Sequence, residues 1–100
     1  MGSAENLVRL VADVRETVRS IPPGRVMSYG DIGDVIGVGA RQVGRAMTLI
    51  SDGVPWWRVV YADGTPATCH GGGAPDLLRS ERTVFRGRRV DLRQARFQFS

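Results

Sequence analysis

Cys69 and His70 are neighbours in the stretch "TCHGGG", and they are the only cysteine and the only histidine of the chain. A thiolate beside an imidazole pairs a nucleophile with its base, and both groups ligate metals. Neighbouring residues rarely turn their side chains toward each other, however, and no other residue completes a triad or a ligand set. Cys69 and His70 are therefore read as plain loop residues, and no catalytic role, metal or cofactor is expected. A second stretch, "GVPWWRVVYADG" at residues 53–64, sets Trp56 beside Trp57 in a chain with only two tryptophans. Tandem indoles fill a core, grip a ligand, or stand where a more reactive side chain belongs.

The charge points to a partner. All 14 basic residues are arginine, against 10 acids, for a net charge of +4. Half of these arginines, from Arg79 to Arg96, crowd the C-terminal end beside only Glu81 and Asp91. Such a surplus on a small domain suits a polyanion, most often nucleic acid. A solvated, arginine-rich tail is the plainer alternative.

The elements that position these residues follow from periodicity. At 100 residues and 42% hydrophobic content, one domain spanning 1–100 is expected, with a basic, loosely held tail over about 93–100. No stretch nears the roughly 20 apolar residues of a membrane span, and "MGSAENLVRL" lacks a signal-peptide layout, so a soluble cytoplasmic protein is expected. Leu7, Leu10, Val11, Val14, Val18 and Ile21 recur at threes and fours and predict a helix over 6–21, ended by Pro22, Pro23 and Gly24. After an extended piece at 25–27, Ser28 and Asp31 resemble a capping box for a helix over 29–36 with Ile32, Val35 and Ile36 inward.

Gly37 and Gly39 turn the chain into a third helix from Ala40, with Val43, Ala46, Met47 and Ile50 on one face and Arg41, Gln42 and Arg45 on the other. Two short helices around a glycine turn read equally as helix-turn-helix or as a helical hairpin with surface arginines. Beyond Ser51, Asp52 and Gly53 the period changes to a strand over 58–61 and a loop over 65–73. A helix then opens at Pro75 and includes Leu77, Leu78 and Glu81, and a hairpin turns around Gly87.

The blocks "IPPGRVMSYGDIG", "ARQVGRAM", "VPWWRVVYADG" and "LLRSE", in this order, resemble the C-terminal domain of the O6-alkylguanine-DNA alkyltransferases and, more closely, the alkyltransferase-like proteins. The resemblance runs from about Val11 to Leu92. It implies a mainly α fold with short β elements, a winged-helix-like helix-turn-helix that docks in the minor groove of DNA.

Active alkyltransferases carry a reactive cysteine in a Pro-Cys-His-Arg-Val block, and here that block reads Pro55-Trp56-Trp57-Arg58-Val59. By this resemblance Trp56 takes the nucleophile's place, where an indole offers no thiol to activate, and no enzyme activity is expected. Trp57 takes the place of the proton-relaying histidine, a departure from both families. Glu81 matches the third member of the triad, left as a hydrogen-bonding carboxylate or an ion-pair partner of Arg79 and Arg82.

The binding half of the family's machinery is present. Tyr29 matches the tyrosine that crowds a phosphate and rotates a nucleotide out of the stack. Arg41 matches the arginine that fills the gap, a role suited to a flat, charged, stacking guanidinium. Gln42 and Arg45 flank it for backbone contacts, while Gly44 and Ala46 thin the helix surface. A lesion pocket is expected from Tyr29, Trp56, Val59, Tyr61 and Gly72.

The resemblance thus implies a non-enzymatic, monomeric sensor of O6-alkylguanine in double-stranded DNA. It would flip the base and flag it to the damage-recognition proteins of nucleotide excision repair, in the cytoplasm at the nucleoid. The competing readings are a helix-turn-helix regulator without lesion recognition and residual alkyl transfer to Cys69.

Overall fold

The computed structural model describes residues 3–50 and 53–98. Helix α1 (Ser3–Arg19) leads through the Pro-Pro-Gly turn to strand β1 (Met27–Ser28), then α2 (Tyr29–Ile36) and α3 (Ala40–Leu49). A 3-10 turn (Trp56–Arg58) precedes β2 (Val59–Val60), and a second one (His70–Gly72) precedes α4 (Ala74–Ser80). The chain closes with the hairpin β3 (Phe85–Arg86) and β4 (Arg89–Val90) and the short helix α5 (Leu92–Ala95). The result is mainly helical with short strands, a helix-turn-helix, as the sequence implies. Ser51 and Asp52, at the expected change of period, and Phe99 and Ser100, in the expected tail, lie outside the described residues.

Helices α2 and α3 pack on each other and both pack on α1. Val14, Val18 and Ile21 meet Ile32, Val43, Ala46 and Met47 in one buried cluster. Each fully buried valine, isoleucine or methionine there contributes about 1.5–3 kcal/mol. Val35 departs from the expected inward set: it is 49% exposed, because the eight-residue α2 turns only its Ile32 side toward α1. A second cluster joins Val26, Val60, Leu78, Val90 and Ala95 under the hairpin.

The Ser28–Asp31 capping box forms as expected. Asp31 N donates to Ser28 Oγ and Ser28 N to Asp31 Oδ2, both at 3.0 Å. At the other end of α2, Gly37 takes φ +83 and its N–H donates to Gly33 O, a left-handed cap that favours glycine. The turn releases the chain into α3 after two residues.

Strands β1 and β2 are parallel, with Met27 opposite Val59 and Ser28 opposite Val60, and α2 and α3 form the crossover between them. Residues 95–97, within the expected loose tail, are held in place. Val26 N donates to Ala95 O at 2.9 Å and Phe97 N to Val26 O at 2.8 Å, so residues 95–97 run beside β1. The apolar Phe97 side chain, packed against the main core, explains why this basic stretch is anchored.

Candidate nucleic-acid interface

The pairing of β1 with β2 decides which side chains meet. Because Ser28 lies opposite Val60, the next residues on each strand, Tyr29 and Tyr61, leave the sheet side by side. Their rings lie 5.1 Å apart between centroids, tilted by 45°. Tyr29 opens α2 and is half-buried, while Tyr61 is 44% exposed. Both line one cleft of about 540 Å³ with Arg41, Gly44 and Thr48 of α3. Ala40, Met47, Thr68 and Cys69 complete its lining.

Arg41, Gly44 and Thr48 fall three and four residues apart, so they share one face of α3. Arg41 is exposed at the mouth, and the Gly44 position faces open space. Gln42 and Arg45 are exposed beside this face. The Gln42 Oε1 accepts from Gly39 N at 2.9 Å, which ties that side chain to the start of the helix. Ala46 does not thin the outer surface as expected: it is fully buried on the opposite side of α3, facing the core.

Three residues expected in the pocket lie elsewhere. Val59 is fully buried, since its side chain in β2 faces the core cluster. Trp56 is 8% exposed, stacks on His70 at 4.4 Å and meets Trp57 edge-on at 5.8 Å. Its remaining surface lines a separate cleft of about 510 Å³ with Arg19, Pro55 and Arg58. Gly72 sits on the exposed turn that carries His70 and lines neither cleft. Within the "CH" pair, Cys69 faces the Tyr29 cleft while His70 covers Trp56, so the two side chains serve different surroundings.

Burial shifts two titratable groups of the cleft. Burial raises the Tyr29 phenol to about 12, with Cys69 and Tyr61 adding to the shift, so it stays a neutral hydroxyl donor at physiological pH. Burial also pushes the Cys69 thiol above its ordinary value, which keeps it protonated and a weak nucleophile.

Glu81 has a different partner from the expected Arg79 and Arg82. Arg58 Nε donates to Glu81 Oε1 at 3.0 Å and Arg58 Nη2 to Glu81 Oε2, while Arg58 Nη1 donates to Ile21 O at 2.8 Å. Both side chains are largely buried, so this is an internal fork rather than a surface pair. Burial opposes ionisation of Glu81, but the Arg58 hydrogen bonds and the nearby Trp57 N–H outweigh it and hold the carboxyl below its ordinary value. Trp57 Nε1 is buried beside this carboxylate without reaching hydrogen-bond geometry. Arg58 figures in the sequence only as part of the Pro55–Val59 block, and its pairing with Glu81, 23 positions away, is not expected from it. Arg79 instead lies over the Phe85 ring at 4.0 Å.

Residues 10–83 match the DNA-binding domain of the 6-O-methylguanine DNA methyltransferase family. The chain belongs to this family. Among curated relatives, it is 36% identical over 75 residues to the DNA base-flipping protein of Escherichia coli, covering 71% of this chain and 55% of that one. It is 43% identical over 56 residues to alkyltransferase-like protein 1 of Schizosaccharomyces pombe, covering 52% of each. The chain therefore spans about half the length of the curated relatives it matches.

The fold is similar to the crystal structure of S. pombe Atl1 in complex with damaged DNA containing O6-carboxymethylguanine, at a TM-score of 0.78 and 28% identity over 91% of this chain and 96% of that one. It is also similar to the O6-methylguanine methyltransferase of Mycobacterium tuberculosis, at a TM-score of 0.63 and 33% identity over 81% of this chain and 50% of that one. The family's matched span thus contains the Tyr29–Tyr61 cleft and the helix-turn-helix, and it stops before the arginine-bearing hairpin.

Proposed function

We propose that this member of the methyltransferase DNA-binding family binds O6-alkylguanine in double-stranded DNA and does not repair it. The observation that carries the reading is one cleft, about 540 Å³, walled by Tyr29, Tyr61 and Arg41, in which the Cys69 thiol is suppressed by burial. The helix-turn-helix docks in the minor groove through α3. The Tyr29 hydroxyl donates to a phosphate oxygen, and the target nucleotide rotates into the cleft. Arg41 enters the stack, where its guanidinium hydrogen-bonds the orphaned base. Stacking on an aromatic is worth roughly 1–3 kcal/mol per base, which offsets the few kcal/mol of unstacking.

Trp56 stands in the place of the family's alkyl-accepting cysteine and Trp57 in that of its histidine, so transfer has neither acceptor nor relay. The monomer acts as a flag: the bound complex recruits the damage-recognition proteins of nucleotide excision repair at the nucleoid.

Intact-mass spectrometry after incubation with a duplex carrying O6-methylguanine tests the division between binding and repair. The expected outcome is a retained complex and an unshifted protein mass. A gain of one methyl group would overturn the non-enzymatic reading and point to Cys69.

A further inference from the structure

We propose that the β3–β4 hairpin is a second, sequence-independent DNA grip, whose Arg86, Arg88 and Arg89 sit on phosphates flanking the base held in the Tyr29–Arg41 cleft. The inference rests on the DNA-binding reading of that cleft and concerns residues beyond the family's matched span. Three exposed arginines surround the tip glycine, Gly87, whose φ of +68 makes the turn tight and brings the charges together. Neither Arg86 nor Arg88 has an ion-pair partner among the described residues. Arg89 pairs only loosely with Asp63, at 3.7 Å and with both side chains more than half exposed. A phosphate readily displaces such a screened pair.

The hairpin is fastened to the cleft. Val90 N donates to Gly64 O at 2.9 Å, and a Cβ on Gly64 would come within 2.3 Å of Val90 O, so β4 lies directly on the turn after β2. That turn begins at Tyr61, a wall of the cleft, and Gly64 N donates back to Tyr61 O at 2.9 Å. Asp63, the partner of Arg89, is two residues from Tyr61 and hence at most about 7.6 Å away between Cα atoms. DNA seated on the cleft therefore has its backbone within reach of the hairpin.

The partner that fits is a phosphate chain rather than a protein. A protein contact needs a buried aromatic or aliphatic anchor. Here Val90 is buried and the Phe85 ring is covered by the Arg79 guanidinium, leaving Val84 as the hairpin's exposed apolar side chain. What the hairpin presents is guanidinium, which binds phosphate in a fork.

The test compares the full chain with an Arg86→Gln/Arg88→Gln variant on undamaged and O6-methylguanine duplexes from 50 to 200 mM salt. Each lost phosphate contact lowers the slope of log affinity against log salt by about 0.9, so a decrease of roughly 2 is expected. Both affinities fall by the same factor, and their ratio is unchanged. The charge-conserving Arg86→Lys/Arg88→Lys variant keeps the parental slope and shows that the hairpin still folds. An Arg15→Gln/Arg19→Gln control removes equal charge from α1. An unaltered slope in the hairpin variant, or an equal change in the control, overturns the proposal. Failure of the lesion reading is seen separately, as equal affinity of the parent chain for the two duplexes.

Discussion

Arg96 Nε donates to Asp31 Oδ2 at 3.1 Å, joining residues 65 positions apart at the base of the helix that presents Tyr29. The same carboxylate oxygen accepts from Ser28 N and closes the capping box of α2. Behind it, residues 95–97 bond to Val26 beside β1. Tyr29 is thus held from the rear by the C-terminal segment, and its position is a tertiary property rather than a property of α2 alone.

Asp31→Ala removes the ion pair and the reciprocal half of the capping box, Ser28 N to Asp31 Oδ2, while the Ser28 Oγ cap on the Asp31 N–H remains. The lost reciprocal bond is worth about 0.5–1.5 kcal/mol. The pair is partly exposed and worth less, up to about 1 kcal/mol. Denaturant titration should find Asp31→Ala more destabilising than Arg96→Ala, with DNA affinity lowered in both. Equal costs for the two variants would remove the reciprocal Ser28 N–Asp31 Oδ2 bond from the explanation.

The Arg58–Glu81 fork predicts acid sensitivity. The Glu81 carboxyl sits below its ordinary value in the folded chain, so its contribution is fully present above the unfolded carboxyl's titration near about pH 4.3. It is lost as pH falls through the folded value. Glu81→Gln therefore flattens the stability profile below about pH 5. Glu81→Ala, which leaves Arg58 half-partnered in a largely buried site, costs on the order of 3 kcal/mol. Unfolding midpoints at pH 7 and pH 4 check both, and a Glu81→Ala protein as stable as its parent would contradict the fork's role.

Arg41→Ala should weaken binding to O6-methylguanine duplex by about tenfold or more, the loss of one stacking contact of roughly 1–3 kcal/mol. Tyr29→Phe should cost less, about 0.5–1.5 kcal/mol for one hydroxyl hydrogen bond. Since the phenol titrates only at about 12, Tyr29 adds no pH dependence between pH 7 and 10. Anisotropy titrations across that range measure all three effects. An Arg41→Ala chain with parental affinity would exclude insertion of this side chain.

Cys69 lines the cleft but carries a thiol raised by burial. Cys69→Ser should leave affinity for the lesion duplex within about twofold, since a hydroxyl of similar size takes over any hydrogen bond the weaker thiol makes. A tenfold loss would mean that the sulfur itself contacts the base.

Local chemistry was legible in the sequence wherever a residue's partner lies within a few positions. The Ser28–Asp31 box, the α3 face carrying Val43, Ala46 and Met47, and the turn at Gly87 all follow from short-range spacing. The matched motifs likewise located Tyr29, Arg41 and Tyr61, which the structure brings to one cleft. What periodicity does not carry is long-range pairing. Arg58 with Glu81, Arg96 with Asp31 and Trp56 with His70 join segments 14 to 65 positions apart, and no local period marks them. The same reason removes Trp56 from the expected pocket: a ring stacked by His70 has its face occupied before any base arrives.

Lesion recognition is tested most directly by one fluorescence titration. Two duplexes of identical sequence, one with guanine and one with O6-methylguanine at a single position, are titrated with the chain at fixed salt. Tighter binding of the O6-methylguanine duplex, by tenfold or about 1.4 kcal/mol, is the predicted result. Equal affinity for the two would contradict the account and leave a helix-turn-helix that binds DNA without reading the damage.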